Sequence, residues 1–116
     1  PGMKRVLFNE ASIFEETQEP VLLVEGVFDS FPYWPNVAAF LGKPTSQHYD
    51  VLVKAKRPLV VVLDADAHVE GWAFAAQLKM AGLTVGFVRL TDGNDPASVD
   101  SEWLKFKAKE SLNNTF

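Results

Sequence analysis

Two short apolar runs that end in carboxylates constrain this fold more than any other feature of the chain. Val21-Leu22-Leu23-Val24 leads into Glu25-Gly26-Val27-Phe28-Asp29, and Leu59-Val60-Val61-Val62-Leu63 leads into Asp64-Ala65-Asp66. A run with no polar alternation reads as a strand covered on both faces, the situation of a parallel sheet between helices. Open α/β sheets of that kind present their ligand crevice at the carboxyl ends of the strands. If the two strands are neighbours, Glu25, Asp64 and Asp66 converge on one point with Asp29 close by. Carboxylates so gathered repel one another unless a divalent cation or raised pKa values relieve the charge. Hard oxygen donors suit Mg²⁺ or Mn²⁺ better than zinc.

The rest of the chain alternates in the same way. Glu19-Pro20 bounds the first run, and Asp29–Trp34 reads as a short helical turn that Pro32 and Pro35 keep from extending. Val37–Leu41 is a second short apolar segment, closed by Gly42. An amphipathic stretch follows to about Ala55, with either Thr45 or Ser46 able to cap it. Pro58 marks the entrance to the strand Leu59–Leu63. From about Val69 to Ala81 the residues Trp72, Ala75, Ala76, Lys79 and Met80 recur at helical spacing, and Gly82 stands where a helix-terminating glycine belongs. Thr84–Leu90 is a fourth strand, and Val99–Leu112, with Trp103, Leu104, Phe106 and Lys107, a terminal helix. Strand and crossover repeated in this order imply a parallel sheet with helices on its faces. Val6-Leu7-Phe8 is either an extra short strand or a stray anchor.

Composition excludes several classes. The 116 residues suffice for one domain with one core. An apolar fraction of 47% and a charged fraction of 22% argue against disorder. With no cysteine there are no disulfides and no thiolate metal sites, which fits a reducing cytoplasm. The longest apolar runs fall far below the roughly 20 residues of a membrane span. A net charge of −4 does not suit a stand-alone electrostatic binder of nucleic acid. Pro1-Gly2 ahead of Met3 reads as the remnant of an expression tag, and residues 1–5 as a disordered start.

Each carboxylate has a structural alternative. Glu25 is followed by Gly26, which lets the backbone turn and approach a ligand closely. Asp64 and Asp66 flank the small Ala65, and helix capping is expected to be part of the task of Asp66 without accounting for both. Asp29 either caps the short turn it begins or joins a metal cluster. Thr91-Asp92-Gly93-Asn94-Asp95-Pro96 taken alone is a turn sequence. Its place after the fourth strand, on the same sheet edge, adds Asp95 to the candidates.

Glu25-Gly26-x-x-Asp29, Asp64-x-Asp66 and Asp92-Gly93-Asn94-Asp95-Pro96, each after an apolar strand, together resemble the TOPRIM domain, most closely that of bacterial and phage DNA primases. Val37–Gly42 with Thr45 and Gln47, and the Asn9-Glu10-Ala11 region, extend the resemblance over roughly residues 6 to 100. It implies a Rossmann-like four-stranded parallel sheet flanked by helices. It also implies a primase-type nucleotidyltransferase centre in which Glu25, Asp64 and Asp66 are catalytic and, with Asp29 and Asp95, hold Mg²⁺ or Mn²⁺. Paired ions in such centres, roughly 3.5–4 Å apart, clamp the attacking and leaving oxygens of an in-line displacement. In topoisomerases of the same superfamily the matching glutamate acts in proton transfer, so Glu25 has two available roles. The implied partners are single-stranded DNA template, nucleoside triphosphates and other primase or helicase domains of a longer parent, with no membrane. Residues 6–116 would then be a single TOPRIM domain, excised from that parent and inactive alone.

The chain departs from the family pattern in three respects. Ala97 stands where primases commonly carry a further acidic residue, with Asp100 the nearest replacement. Ala67-His68-Val69-Glu70 adds about two residues before Gly71 and brings His68 close to the acidic centre, where it reads as a polar loop residue. The zinc-binding module and basic subdomain of a full primase are not in this sequence. The rival readings are an OLD-type or ribonuclease-like TOPRIM nuclease and a non-catalytic TOPRIM binding module. A haloacid-dehalogenase-like phosphatase fits poorly, because its Asp-x-Asp follows the first strand. Phe31, Tyr33 and Trp34 are either a docking patch or, for at least two of the three, core.

Overall fold

The computed structural model describes residues 6–113, so the expected disordered start at 1–5 lies outside the described residues. Strands β1 (Val21–Val24), β2 (Val37–Ala39), β3 (Leu59–Val61) and β4 (Val85–Phe87) form one sheet in the order β2-β1-β3-β4. Every pairing is parallel, with Leu22 opposite Val37, Leu23 opposite Val61 and Val61 opposite Phe87. The helices are α1 (Val27–Ser30), α2 (Ser46–Leu52), α3 (His68–Met80) and α4 (Ser101–Ser111), with 3₁₀ turns at Glu10–Phe14, Phe31–Tyr33 and Ala65–Ala67. The expected α/β architecture, a four-stranded parallel sheet flanked by helices, is what the chain adopts.

The uninterrupted apolar runs are explained by the two cores they serve. Val21, Leu23, Leu59 and Val61 face Leu52 of α2 and Phe74, Ala75 and Leu78 of α3. Leu22, Val24, Val60 and Val62 face Tyr33 and, on α4, Leu104 and Ala108. Burial on alternate sides is what period-2 geometry requires of a strand between two helix layers. From β1 the chain steps to β2 on one side and then crosses to β3 on the other. The gap between β1 and β3 is therefore the switch point at which sheets of this topology open a crevice.

Local sequence sets the boundaries. Thr45 is the residue that caps α2: its Oγ1 accepts the His48 N–H at 3.4 Å, and the His48 ring Nδ1 accepts the Thr45 N–H at 2.9 Å. The buried His48 ring also donates from Nε2 to the Val6 carbonyl at 3.1 Å and meets Phe40 edge-on. Phe8 forms a single antiparallel bridge to Ala39, and Leu7 is buried, so the Val6–Phe8 segment is an anchor on the rim of β2. Gly82 ends α3 at a φ of 95°, as its position predicts. On β4, a Cβ at Gly86 would collide with the Ser111 hydroxyl of α4, so the missing side chain is what lets that helix lie on the strand.

Two readings of amphipathic faces need correction. In α3 the buried face is Gly71, Phe74, Ala75 and Leu78, while Trp72 and Met80 are exposed. Both sets recur at helical spacing, and only the sheet decides between them. Gly71 is selected because its missing side chain gives room to Leu63 and Phe87. Of the three aromatics around the prolines, Tyr33 alone is core; Phe31 and Trp34 are each 56% exposed.

Candidate metal centre

Parallel register delivers the acidic residues to one edge. Val62 N–H bonds to Leu23 O at 3.0 Å and Val88 N–H to Val61 O at 3.1 Å, after which the ladder stops and the chains splay. In that opening the Asp64 N–H donates to Glu25 Oε1 at 3.1 Å, tying the end of β3 to the end of β1. Glu25, Asp64 and Asp66 each place one carboxylate oxygen so that the three lie within 4.8 Å of one another. The third acidic loop is attached by Ala65 N–H to Asn94 O at 3.0 Å, and a shallow pocket is lined by Asp64, Ala65, Asp66, Gly93, Asn94 and Asp95.

Asp29 and Asp95 stand around this trio rather than in it. Asp29 Oδ2 accepts the Gly26 N–H at 3.3 Å, closing the first turn of α1. Burial first, and then the charge of Asp95, hold the Asp29 carboxyl above its ordinary range, against the pull of the Gly26 and Ala97 N–H groups. Asp95 Oδ1 accepts the Ser98 N–H at 2.9 Å. Asp100 caps α4, its Oδ2 accepting the Trp103 N–H at 2.9 Å. His68 opens α3 and donates from Nδ1 to the Ala65 carbonyl at 3.0 Å, so its position is helical and not looped.

The electrostatics single out Asp64. Burial, and then the charges of Glu25, Asp29, Asp95 and Asp66, push its pKa up to about 6. Its Oδ1 is buried and, among the described residues, has no hydrogen-bond partner. The expected capping role for Asp66 is not found: α3 is preceded by Ala67 and has no side-chain cap, and neither Asp64 nor Asp66 caps the 3₁₀ turn. Neither carboxylate on this loop therefore satisfies a helix end by a side-chain hydrogen bond. An orphaned buried oxygen beside two more carboxylate oxygens is a donor set that fits a hard divalent cation.

Sequence reading missed two contributors. Lys43 reaches Glu25 Oε2 at 3.8 Å from a loop held in place by Leu41 and Gly42, whose N–H groups donate to Glu25 O at 2.7 and 3.2 Å. Nothing in local pattern marks a lysine after Gly42 as belonging to an acidic centre. Tyr33 donates its hydroxyl to Pro96 O at 2.6 Å and so braces the third acidic loop from the core. Burial and the charges of Asp100, Asp29 and Asp95 raise its pKa to about 12, which keeps that donor protonated.

No family model matches the chain, and no curated protein matches it either. Among solved structures it is similar to the crystal structure of the Aquifex aeolicus primase, comprising zinc-binding and RNA polymerase domains. The identity is 30% and the TM-score 0.65, over 92% of this chain. The match spans 29% of that longer chain. The fold is thus primase-related, and among the described residues no helix is long and apolar enough to cross a membrane.

Proposed function

We propose that this chain is the metal-binding catalytic domain, of TOPRIM type, of a DNA primase or phage primase-helicase. Its reaction would be Mg²⁺- or Mn²⁺-dependent nucleotidyl transfer that makes RNA primers in DNA replication. The observation that carries the reading is the meeting of Glu25, Asp64 and Asp66 at the switch point of a primase-like sheet. A bound divalent ion would supply charge stabilisation at phosphoryl oxygens and an activated hydroxyl nucleophile. Glu25, Asp64 and Asp66 would hold it, with Asp95 and Asp29 as flanking charges.

The chain's own residues supply position. Glu25 keeps Oε1 on the Asp64 N–H and directs Oε2 to the opening, where Lys43 now sits. Asp64 offers the unpartnered Oδ1, and Asp66 presents its carboxylate from the exposed side of the 3₁₀ turn. The Ala65–Asn94 backbone bond ties the third acidic loop to the second, and Tyr33 ties it to the turn that follows the first. Such preorganisation is the protein's contribution to phosphoryl transfer. Template and nucleoside triphosphates would be held with the help of other domains of a longer cytoplasmic parent. The present chain would bind metal without priming.

Titrating Mn²⁺ while following tryptophan fluorescence should give saturable binding that Asp64→Ala abolishes; equal curves for both proteins would remove the metal centre. The full-length parent, given single-stranded DNA and ribonucleotides, should yield oligoribonucleotides. Shortening of a labelled duplex instead would favour the TOPRIM nuclease reading.

A further inference from the structure

We infer that Lys43 is a movable counter-charge of this centre. It balances Glu25 in the metal-free state and is released to the phosphate groups of a polyphosphate substrate when a divalent cation takes that carboxylate. The inference rests on the metal-centre reading above and adds to it a residue that contacts substrate.

The geometry carries it in three steps. First, the pair is too loose to be a structural bond. At 3.8 Å the ammonium is beyond hydrogen-bond reach of Glu25 Oε2, and its side chain is 55% exposed. The Glu25 side chain is only 17% exposed, but a pair of this length with its cation in solvent is screened and contributes little to stability. Second, the lysine's backbone is not loose. Leu41 and Gly42 both donate to Glu25 O, Leu41 adopts a left-handed φ of 63° and Gly42 a φ of 143°, and Thr45 caps α2 two residues beyond Lys43. The loop thus fixes the base of a flexible four-carbon stem at the rim while leaving its head free to move. Third, Glu25 Oε1 already accepts the Asp64 N–H, which leaves Oε2, the oxygen that Lys43 approaches, as the more open donor, so a cation that takes Oε2 displaces Lys43. An ammonium displaced there stays beside the ion, where a metal-bound polyphosphate would carry its excess negative charge. The mechanism needs no bond making; only ion pairs exchange.

Calorimetric titration of the chain tests this with Mn²⁺ alone and then with inorganic tripolyphosphate in saturating Mn²⁺. Lys43→Met should bind Mn²⁺ about three- to fivefold more tightly and Mn²⁺-tripolyphosphate about fivefold more weakly, the change expected for losing one solvent-screened ion pair. Lys43→Arg should stay near wild type in both titrations and in melting temperature, and Lys43→Met should melt only a few degrees lower without metal. A Lys43→Met protein that binds Mn²⁺ no more tightly, or binds tripolyphosphate as the wild type does, would overturn the inference. If the wild type binds Mn²⁺ and Asp64→Asn does not, that failure belongs to Lys43 alone. If the wild type shows no saturable Mn²⁺ binding, both the centre and the inference fall.

Discussion

At the amino end of the sheet Arg57 is buried and each nitrogen of its guanidinium has an acceptor, whereas at the carboxyl end Asp64 is half-buried with one oxygen that, among the described residues, has no hydrogen-bond partner. Arg57 Nε donates to Glu19 O at 2.8 Å, Nη1 to Ser12 O at 3.0 Å and to Glu15 Oε1 at 2.9 Å, and Nη2 to Asn36 Oδ1 at 2.7 Å. It joins the segment before β1, the loop before β2 and the entrance of β3. The same fold thus holds one charge by satisfying it and another by crowding it with like charges. A satisfied charge serves the fold, and a crowded, orphaned one costs it stability, which is the arrangement the proposed cation would relieve.

The largest effect should come from the satisfied end. Arg57→Ala strands two carbonyls and the Asn36 amide oxygen and removes a buried stem, so unfolding free energy should fall by about 3 kcal/mol. Urea denaturation would read this as a lower midpoint. A loss below about 1 kcal/mol would mean that water replaces the guanidinium and that the two ends do not differ in kind.

The next effect belongs to the crowded end. A cation that binds the folded chain alone stabilises it by about 2.7 kcal/mol at a hundredfold excess over its dissociation constant. Thermal melts in Mn²⁺ should show that gain in the wild type and lose it in Asp64→Asn. Without metal the sign reverses, and Asp64→Asn should be more stable than the wild type at neutral pH by about 1 kcal/mol after solvent screening is allowed for. The pH dependence follows from the raised pKa. Between the unfolded value of about 4 and the folded value of about 6, the folded state binds more protons, so stability falls as pH rises through that window. The advantage of Asn over Asp should therefore be full above pH 6 and fade toward pH 4. An advantage independent of pH would remove charge crowding as its cause.

The two ends also differed in how far the sequence disclosed them. Glu25, Asp64 and Asp66 were legible because each directly follows a continuous apolar run, and a parallel sheet must carry such ends to one edge. Arg57 was invisible beside Pro58, because its acceptors lie 21 to 45 residues away and no local period encodes them. Lys43 escaped for the same reason. The α3 face was misread because Trp72 and Met80 share the helical spacing of Phe74 and Leu78, and only Gly71 against Leu63 and Phe87 breaks the tie. Asp29 and Asp95 were placed on the right edge, but their carboxylates serve the Gly26 and Ser98 N–H groups, a side-chain choice that strand order leaves open.

The smallest expected effect separates charge from hydrogen bonding within the Arg57 cluster. Among the described residues Glu15 is the one carboxylate on that guanidinium, yet its side chain is 66% exposed while that of Arg57 is fully buried. If the formal pair held the amino end together, Glu15→Gln would leave a buried cation without its counter-charge and cost several kcal/mol, as broken buried pairs do. The other three acceptors are two carbonyls and an amide oxygen, whose dipoles remain, and water reaches the Glu15 position freely. Glu15→Gln should therefore cost only about 0.5 kcal/mol, the range of exposed pairs. A urea midpoint close to wild type, little altered by added salt, would assign the stability of this end to directed hydrogen bonds. A loss comparable to that of Arg57→Ala would assign it to charge, and the contrast with the crowded carboxylates would then be one of sign only.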